Sequence, residues 1–193
     1  TITASNVFKI DIADVSREMR SKAKMINFGI LYGISAFGLS KRLDIPKSEA
    51  SEIITQYQNA YPDVQNYLEQ TILFAQKNDY VETITGRRRY IRDINAKNKL
   101  VRSGAERNAI NAPIQGTAAD MIKIAMIRIE NLLNKHKSET KMLIQVHDEL
   151  VFDLAPEEQD LIPQIESIMR EAIPMDVPII IESGIGNNWL EAH

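Results

Sequence analysis

The spacing of apolar and polar positions predicts a mainly helical chain with a few short strands. Apolar residues recur at intervals of three and four over most of the sequence, and Ser, Asp, Pro or Gly stands where such stretches begin or end. Ser16 or Asp14 suits the start of the second helix, and Gly33 suits its end. The predicted helices cover residues 3–8, 16–32, 37–43, 48–59, 61–78, 98–112 and 117–135, with another beginning at Pro156.

Alternating and β-branched runs predict the strands. Residues 80–85 and 89–91 should form a small hairpin around Gly86 with arginines at its tip, two strands should fill 141–154, and a last strand should cover 177–182. Helices around a small antiparallel sheet make the expected fold class α+β.

The last two long helical stretches are separated by Pro113. Proline lacks an N–H and clashes with the preceding turn, so we expect it to break or kink the helix. The stretch 117–135 is strongly amphipathic and should supply much of the core. Its expected core side chains are Met121, Ile124, Ala125, Ile127, Ile129 and Leu132.

One set of side chains in the predicted helix 16–32 lies at steps of four residues: Arg20, Lys24, Phe28 and Tyr32. Each such step turns an α-helix by about 400°, so the four form one stripe about 18 Å long. Two cations followed by two rings match the phosphates and the base of a nucleoside triphosphate. Periodicity alone leaves open an ordinary amphipathic helix, with rings in the core and cations at its rim.

Composition excludes several classes of protein. The chain has 193 residues, 44% hydrophobic and 25% charged, which is typical of a soluble globular protein. It has no cysteine, so disulfides and thiolate metal sites are excluded. No apolar run approaches the roughly 20 residues that a membrane span needs, and we expect no membrane partner.

Charge is unevenly distributed although the net charge is only −3. Residues 86–107 contain eight basic and two acidic residues, whereas residues 148–193 contain eleven acidic residues and one arginine. The basic segment predicts a surface that faces a polyanion such as DNA, and a merely solvated, uneven surface is the alternative.

The turn predicted at His147-Asp148 has unusual chemistry. Two-residue hairpin turns favour Asn-Gly, Asp-Gly or Gly at the centre, because positive φ angles are needed there. A turn that departs from this preference indicates a functional position, and an ordinary exposed polar turn is the alternative.

The pattern Arg20-xxx-Lys24-xxx-Phe28-Gly-xx-Tyr32-Gly resembles motif B of the family A DNA polymerases, the DNA polymerase I type. Other segments agree with that family in order and spacing. Residues 107–120 resemble its template- and primer-contacting helix region, 146–149 resemble motif C, and 186–193 resemble the C-terminus of bacterial polymerase I. The resemblance covers essentially the whole chain.

This resemblance implies a partial right-hand polymerase fold. Residues 1–97 would form helix-rich fingers, and residues 98–193 would form the C-terminal part of the palm with a small antiparallel sheet. The implied activity is that of a DNA-directed DNA polymerase, which transfers a nucleotide from a dNTP to a primer 3′-hydroxyl by a two-metal mechanism. The implied partners are primer–template DNA and dNTPs, in the cytoplasm and nucleoid of a bacterium.

The resemblance also implies roles for individual side chains. Lys24 and Arg20 would hold the triphosphate, Phe28 would pack on the sugar and base, and Tyr32 would lie where the templating base enters. Residues that would contact DNA are Arg107, Asn111, Gln115 and His147. Asp148 would be a catalytic Mg²⁺ ligand, with Glu149 as a nearby, less critical carboxylate. Arg87, Arg88 and Arg89 would either meet backbone phosphate or form an exposed hairpin tip.

In this family a strand with a second metal-binding aspartate, motif A, lies upstream of motif B. Nothing in residues 1–19 matches it, and the chain also lacks matches to a thumb or an exonuclease region. We therefore expect a fragment that binds Mg²⁺ poorly and is inactive alone. A noncatalytic nucleic-acid-binding module of the same fold and a naturally split polymerase half are the alternatives.

Overall fold

The computed structural model describes residues 2–8 and 10–192. Their α-helices and strands, in chain order, are α1 (Ile2–Phe8), α2 (Arg17–Leu31), α3 (Ala36–Leu43), α4 (Lys47–Ala60), α5 (Pro62–Asn78), β1 (Tyr80–Glu82), β2 (Arg88–Tyr90), α6 (Lys99–His136), β3 (Lys141–Val146), β4 (Glu149–Asp153), α7 (Leu161–Arg170) and α8 (Trp189–Ala192). Each of the first five helices ends within one residue of its predicted limits. The fold class α+β is confirmed, and the strands of the described residues form two separate antiparallel pairs, β1–β2 and β3–β4.

The chain forms two compact units, residues 1–114 and 115–193. In the first unit, helices α2, α3 and α4 enclose one apolar cluster, which consists of Ile26, Ile30, Leu39, Ala50 and Tyr57. Helix α5, the β1–β2 hairpin and the first part of α6 enclose another, which consists of Ala75, Val81, Ile91, Ile94, Ala105, Ala109 and Ala112. These helices form because each buries one apolar face against its neighbours.

The second unit is built on the remainder of α6. Ala125, Ile129 and Leu133 are buried against Leu161 and Ile165 of α7. The predicted core positions Met121, Ile124 and Leu132 pack at the edge of this cluster. Ile127 was wrongly assigned to the core, because its side chain is 64% exposed. It lies two positions from Ile129, which is about 200° around the helix and therefore on the opposite side.

Helix α6 runs continuously through Pro113. Of the two effects expected of this proline, the break is therefore wrong, and the kink stays a prediction. A proline in a helix interior costs about 3 kcal/mol. Ala109, Ile110 and Ala112 are all buried beside it. Their burial favours the helical path over the preference of the one residue, as tertiary packing often does.

Two further predictions differ from the structure. Residues 177–182 do not form a strand, although they are mostly apolar, because no strand of the described residues pairs with them. Pro156–Glu158 forms a single 3₁₀ turn, and the helix predicted there starts only at Leu161. Pairing partners and turn types depend on contacts that local composition does not encode.

The β3–β4 hairpin contains a register shift. Met142 pairs with Phe152, but Ile144 pairs with Val151, so Leu143 is an extra residue on β3. Beyond this bulge the pairing is regular up to Val146 opposite Glu149. The two-residue turn at 147–148 follows from that register, and the predicted pair of strands is confirmed.

Both ends of α2 are fixed by hydrogen bonds. The Ser16 hydroxyl oxygen accepts from the N–H of Met19 at 3.2 Å, which confirms one of the two predicted caps. At the other end Gly33 has a φ of +71° and donates to Ile30 O, while Ile34 donates to Gly29 O at 2.8 Å. This is a Schellman motif, which glycine favours because it carries no Cβ.

Gly33 also lies against α6. A Cβ added at Gly33 would lie 3.1 Å from Cγ of Arg107. The hydrocarbon stem of Arg107 therefore packs on the backbone at the end of α2, and both the φ angle and this contact favour glycine.

A carboxylate links two loops of the second unit. Glu158 accepts hydrogen bonds from the hydroxyls of Ser138 and Thr140 and from the N–H groups of Glu139 and Thr140. The Thr140 hydroxyl oxygen in turn accepts from the N–H of Ala155 at 3.1 Å. The Ser138 hydroxyl is the largest cause that lowers the pKa of Glu158 to about 2, followed by the Thr140 hydroxyl. This network connects the α6–β3 turn to the start of the 3₁₀ turn.

Among the described residues, no helix is long and apolar enough to cross a membrane.

We expect Glu158→Gln to destabilise the chain at neutral pH, because the amide cannot accept all four hydrogen bonds. The carboxylate has a lower pKa folded than unfolded, so its contribution is fully present above about pH 4.5 and is lost as pH falls towards 2. Urea unfolding between pH 7 and pH 3 should show the wild type approaching the variant as acid is added. Glu157→Gln is the matched control, and a pH-independent difference for Glu158→Gln would contradict the assignment.

Gly33→Ala should cost more stability than Gly86→Ala. Both glycines have positive φ, but a Cβ at Gly86 meets no heavy atom within 4 Å. Gly86→Ala should therefore cost only the backbone penalty of about 1–2 kcal/mol, whereas Gly33→Ala must also displace Arg107. Chemical denaturation of both variants measures their free energies of unfolding. Equal decreases for the two variants would show that the contact with Arg107 does not contribute to stability.

Candidate functional site

Helix α2 has two opposite faces. Ala23, Ile26, Gly29 and Ile30 are buried. The stripe defined by Arg20, Lys24, Phe28 and Tyr32 lies on the other side: the first three residues are exposed and Tyr32 is half-buried. Phe28 is 45% exposed, so it is not a core residue of this unit. The alternative that places the rings in the core and the cations at its rim is therefore wrong for Phe28.

The two rings of the stripe are nearly parallel. Their centroids are 6.2 Å apart and their planes differ by 19°. They form a flat apolar surface at the C-terminal half of α2, and the two cations occupy the N-terminal half. Such a surface suits a planar base, because aromatic rings favour stacked arrangements.

The cations of the stripe have no acidic partner in the described part of the chain. Lys22, on the same helix, pairs with Glu18 at 2.8 Å, but no carboxylate of the described residues lies within ion-pair distance of Arg20 or Lys24. Exposed cations without an acidic partner are available to an anionic ligand.

A partly buried hydrogen bond joins α2 to α4. The hydroxyl of Tyr57, on α4, donates to Oδ1 of Asn27 at 2.5 Å. Tyr57 is 5% exposed, and this burial is the main cause that raises its pKa, with Tyr61 as the second cause. Sequence reasoning missed this pair, since 30 residues separate its members and neither has a local signal.

The predicted DNA-contacting residues of α6 differ in their surroundings. Arg107 is exposed, with its stem on Gly33, and Asn111 is half-buried. Oδ1 of Asn111 is buried and has no hydrogen-bond partner in the described residues. Unsatisfied buried acceptors are rare and need an explanation. Gln115 is exposed and belongs to the second unit.

The turn between β3 and β4 presents His147 and Asp148 to solvent, while Glu149 is half-buried and engaged within the protein. His147 has a φ of +53°, which a residue with a Cβ rarely adopts. Nε2 of Gln145 donates to the carbonyl oxygen of His147 at 2.9 Å. The local departure from turn preferences is therefore real and has backbone strain associated with it.

Asp148 offers the kind of donor that Mg²⁺ prefers. Hard carboxylate oxygens suit this ion, which commonly takes one or two protein carboxylates and completes its shell with phosphate and water. No group of three His, Asp or Glu side chains suited to a metal occurs among the described residues. The donor chemistry of Asp148 fits a Mg²⁺ site to which other groups contribute.

One arginine of the β1–β2 hairpin makes contacts within the hairpin itself. Arg88 pairs with Glu82 at 2.7 Å and lies 4.4 Å from the ring centre of Tyr80. The hydrogen bond to Glu82 is the main cause that raises the pKa of Arg88. Arg88 thus makes its contacts within the hairpin, while Arg87, in the connecting loop, and Arg89, which pairs with Val81 in the middle of β2, are exposed.

Comparison with known proteins gives consistent matches. Residues 1–191 match the family model described as DNA polymerase family A. DNA polymerase I of Caldicellulosiruptor bescii is 46% identical over 190 residues, which are 98% of this chain and 22% of that protein. DNA polymerase I of Pseudomonas aeruginosa is 45% identical over 195 residues, and the match covers 99% of this chain and 21% of that protein. The chain thus spans about a fifth of the length of these relatives.

A solved structure agrees with the sequence matches. The POL domain of Pol1 from M. smegmatis, in complex with DNA primer-template and dNTP, superposes with a TM-score of 0.93 at 39% identity. The match covers 98% of this chain and 34% of that one. With the family model matched over 191 residues and the exposed motif B stripe in place, the chain belongs to DNA polymerase family A.

Proposed function

We propose that this chain is the fingers and C-terminal palm portion of a DNA polymerase I-type enzyme, which extends a primer by template-directed nucleotidyl transfer. The observation that carries the proposal is the exposed face of α2, where cations with no acidic partner among the described residues precede two stacked rings. A nucleoside triphosphate has the complementary order of charge and flat surface. The complex of the M. smegmatis protein with primer-template and dNTP supports the same ligands for this chain.

In this proposal Lys24 and Arg20 bind the triphosphate. Arginine offers a planar fork to phosphate oxygens, and lysine offers a compact charge that stabilises the leaving pyrophosphate. As the primer 3′-hydroxyl oxygen bonds to the α-phosphorus, the bond to the bridging oxygen breaks and negative charge develops there. Phe28 packs on the sugar and base, and Tyr32 occupies the entry of the templating base.

Arg107, Asn111, Gln115 and His147 are proposed to contact the primer–template. Amide side chains carry a donor and an acceptor, which suits minor-groove acceptors that all base pairs share. The unpartnered Oδ1 of Asn111 supports a polar role for that residue. Contacts of this kind sense base-pair shape and not sequence, as a polymerase requires.

Asp148 is proposed as a ligand of catalytic Mg²⁺, and Glu149 as a supporting carboxylate. Two Mg²⁺ ions, when bound, neutralise phosphate charge and lower the pKa of the attacking hydroxyl. The strained turn at His147 holds the Asp148 carboxylate at the tip of the hairpin, where it is exposed to a ligand.

We propose the division into fingers (1–97) and palm (98–193), together with upstream palm, thumb and exonuclease regions in the parent enzyme. Exposed apolar side chains of the second unit support the proposal that other regions of the parent enzyme pack on it. These side chains, each more than half exposed, are Ile127, Leu143, Ile144, Val177 and Ile180. The parent is proposed to act in the bacterial cytoplasm, at the nucleoid.

In the full-length polymerase, Lys24→Ala should lower single-nucleotide incorporation by about 10²–10³-fold, the scale for losing one charge partner of the transition state. Affinity for primer–template should change little. Rapid-quench incorporation and equilibrium DNA binding measure the two effects. Lys22→Ala is the matched control, because Lys22 is on the same helix and pairs with Glu18. Loss of DNA affinity with normal incorporation from bound complexes would contradict the triphosphate role.

The isolated 193-residue chain should fold and yet fail to extend a primer. A second metal-binding aspartate of motif A is not matched in residues 1–19, and Asp148 alone cannot hold two ions. Circular dichroism checks folding, and a primer-extension assay with Mg²⁺ and four dNTPs checks activity. Template-dependent extension that disappears with Asp148→Asn would mean that the chain holds a complete site.

A further inference from the structure

Helix α2 needs a defined rotation about its own axis, because its stripe acts only when it points towards the ligand. Side-chain atoms lie about 5 Å from a helix axis, so a rotation of 20° displaces them by about 2 Å. Displacements of 1 Å can lower a reaction rate about 10²-fold. Whatever fixes this rotation therefore contributes to catalysis without touching the substrate.

The apolar contacts of α2 determine which of its faces is buried, and a directional contact can fix the rotation within that limit more sharply. Two of its four buried positions are Ala23 and Gly29, which present little shape to a neighbouring helix. Ile26 and Ile30 pack well, but burial of apolar surface has no preferred direction. A directional contact on the flank of the helix has a different effect, since hydrogen bonds weaken steeply with misalignment.

Asn27 provides that contact. It lies about 60° around the helix from Lys24, between the buried face and the stripe, and immediately precedes Phe28. Its Oδ1 accepts from the Tyr57 hydroxyl at 2.5 Å, and the Tyr57 ring is fixed in the cluster of α2, α3 and α4. The bond thus joins the flank of the stripe to a side chain that is 5% exposed.

We propose that Tyr57 is a positioning residue for nucleotide incorporation, which acts through Asn27 to fix the rotation of α2 and hence the direction of Lys24 and Phe28. This inference rests on the proposed function and adds a residue on another helix to it.

The first test is Tyr57→Phe in the full-length polymerase, which removes the hydroxyl and keeps the ring. The ratio kcat/KM for the incoming dNTP should fall about tenfold, through a higher KM and a lower kcat. Affinity for primer–template should stay within twofold of wild type. Tyr61→Phe is the matched control: its ring is 4.8 Å from that of Tyr57, and its hydroxyl has no hydrogen-bond partner in the described residues.

A double-mutant cycle separates positioning from simple stabilisation. Asn27→Leu removes the acceptor, and combining it with Tyr57→Phe replaces both partners by apolar groups of similar shape. Such a replacement can be nearly neutral for stability, so the melting temperature of the double variant should recover. Activity should remain as low as in Tyr57→Phe, because no directional bond is restored.

Three outcomes would overturn the inference: recovery of activity together with stability in the double variant, equal effects of Tyr57→Phe and Tyr61→Phe, or additive losses in the cycle. Lys24→Ala, measured in parallel, distinguishes the two proposals. If Lys24→Ala is defective and Tyr57→Phe is normal, the positioning role alone fails. If Lys24→Ala is normal, the triphosphate site itself is wrong.

Discussion

The packing of α2 onto α3 and α4 is the constraint on which the first unit depends. Ile26 has no exposed surface, and burying an isoleucine side chain stabilises the fold by about 1.5–3 kcal/mol. Once Ile26 and Ile30 face the core, side chains at steps of four on the other side must face outward. The exposure of Lys24 and Phe28 is thus a consequence of apolar packing, and no interaction among the four stripe residues is needed to create it.

Local signals were sufficient wherever a structure is decided within a few residues. Ser16 and Gly33 limit α2, and the four-residue steps place its stripe, so these features could be predicted from sequence. The register of β3 and the partner of Asn27 could not, because each depends on residues that are distant along the chain. Ile127 and Pro113 show two ways in which local reasoning fails. At Ile127 the helical period was predicted correctly, but the side chain lies on the exposed side of the helix. At Pro113 the burial of neighbouring residues overrides the preference of proline against a helix interior.

Departures from local rules coincide with the positions given functional roles. His147 has a positive φ without being glycine, and Asn111 has a buried acceptor to which no group in the described part of the chain donates. Arg107 packs its stem on a glycine, which leaves its charged end exposed. A chain selected only for stability would remove the features at His147 and Asn111, since each of these two costs free energy. The Glu158 network, by contrast, satisfies its carboxylate with hydrogen bonds and joins two loops of the second unit.

The extra residue at Leu143 has a consequence for how the Asp148 turn can vary. Without the bulge, the pairing of Met142 with Phe152 would continue so that Val146 faced residue 148, and only His147 would remain to reverse the chain. A single residue cannot close such a hairpin. The turn therefore owes its length to a position several residues upstream, while His147 still adopts the positive φ that favours glycine. The strand, and not the turn, determines where the chain reverses and hence which two residues stand at the tip.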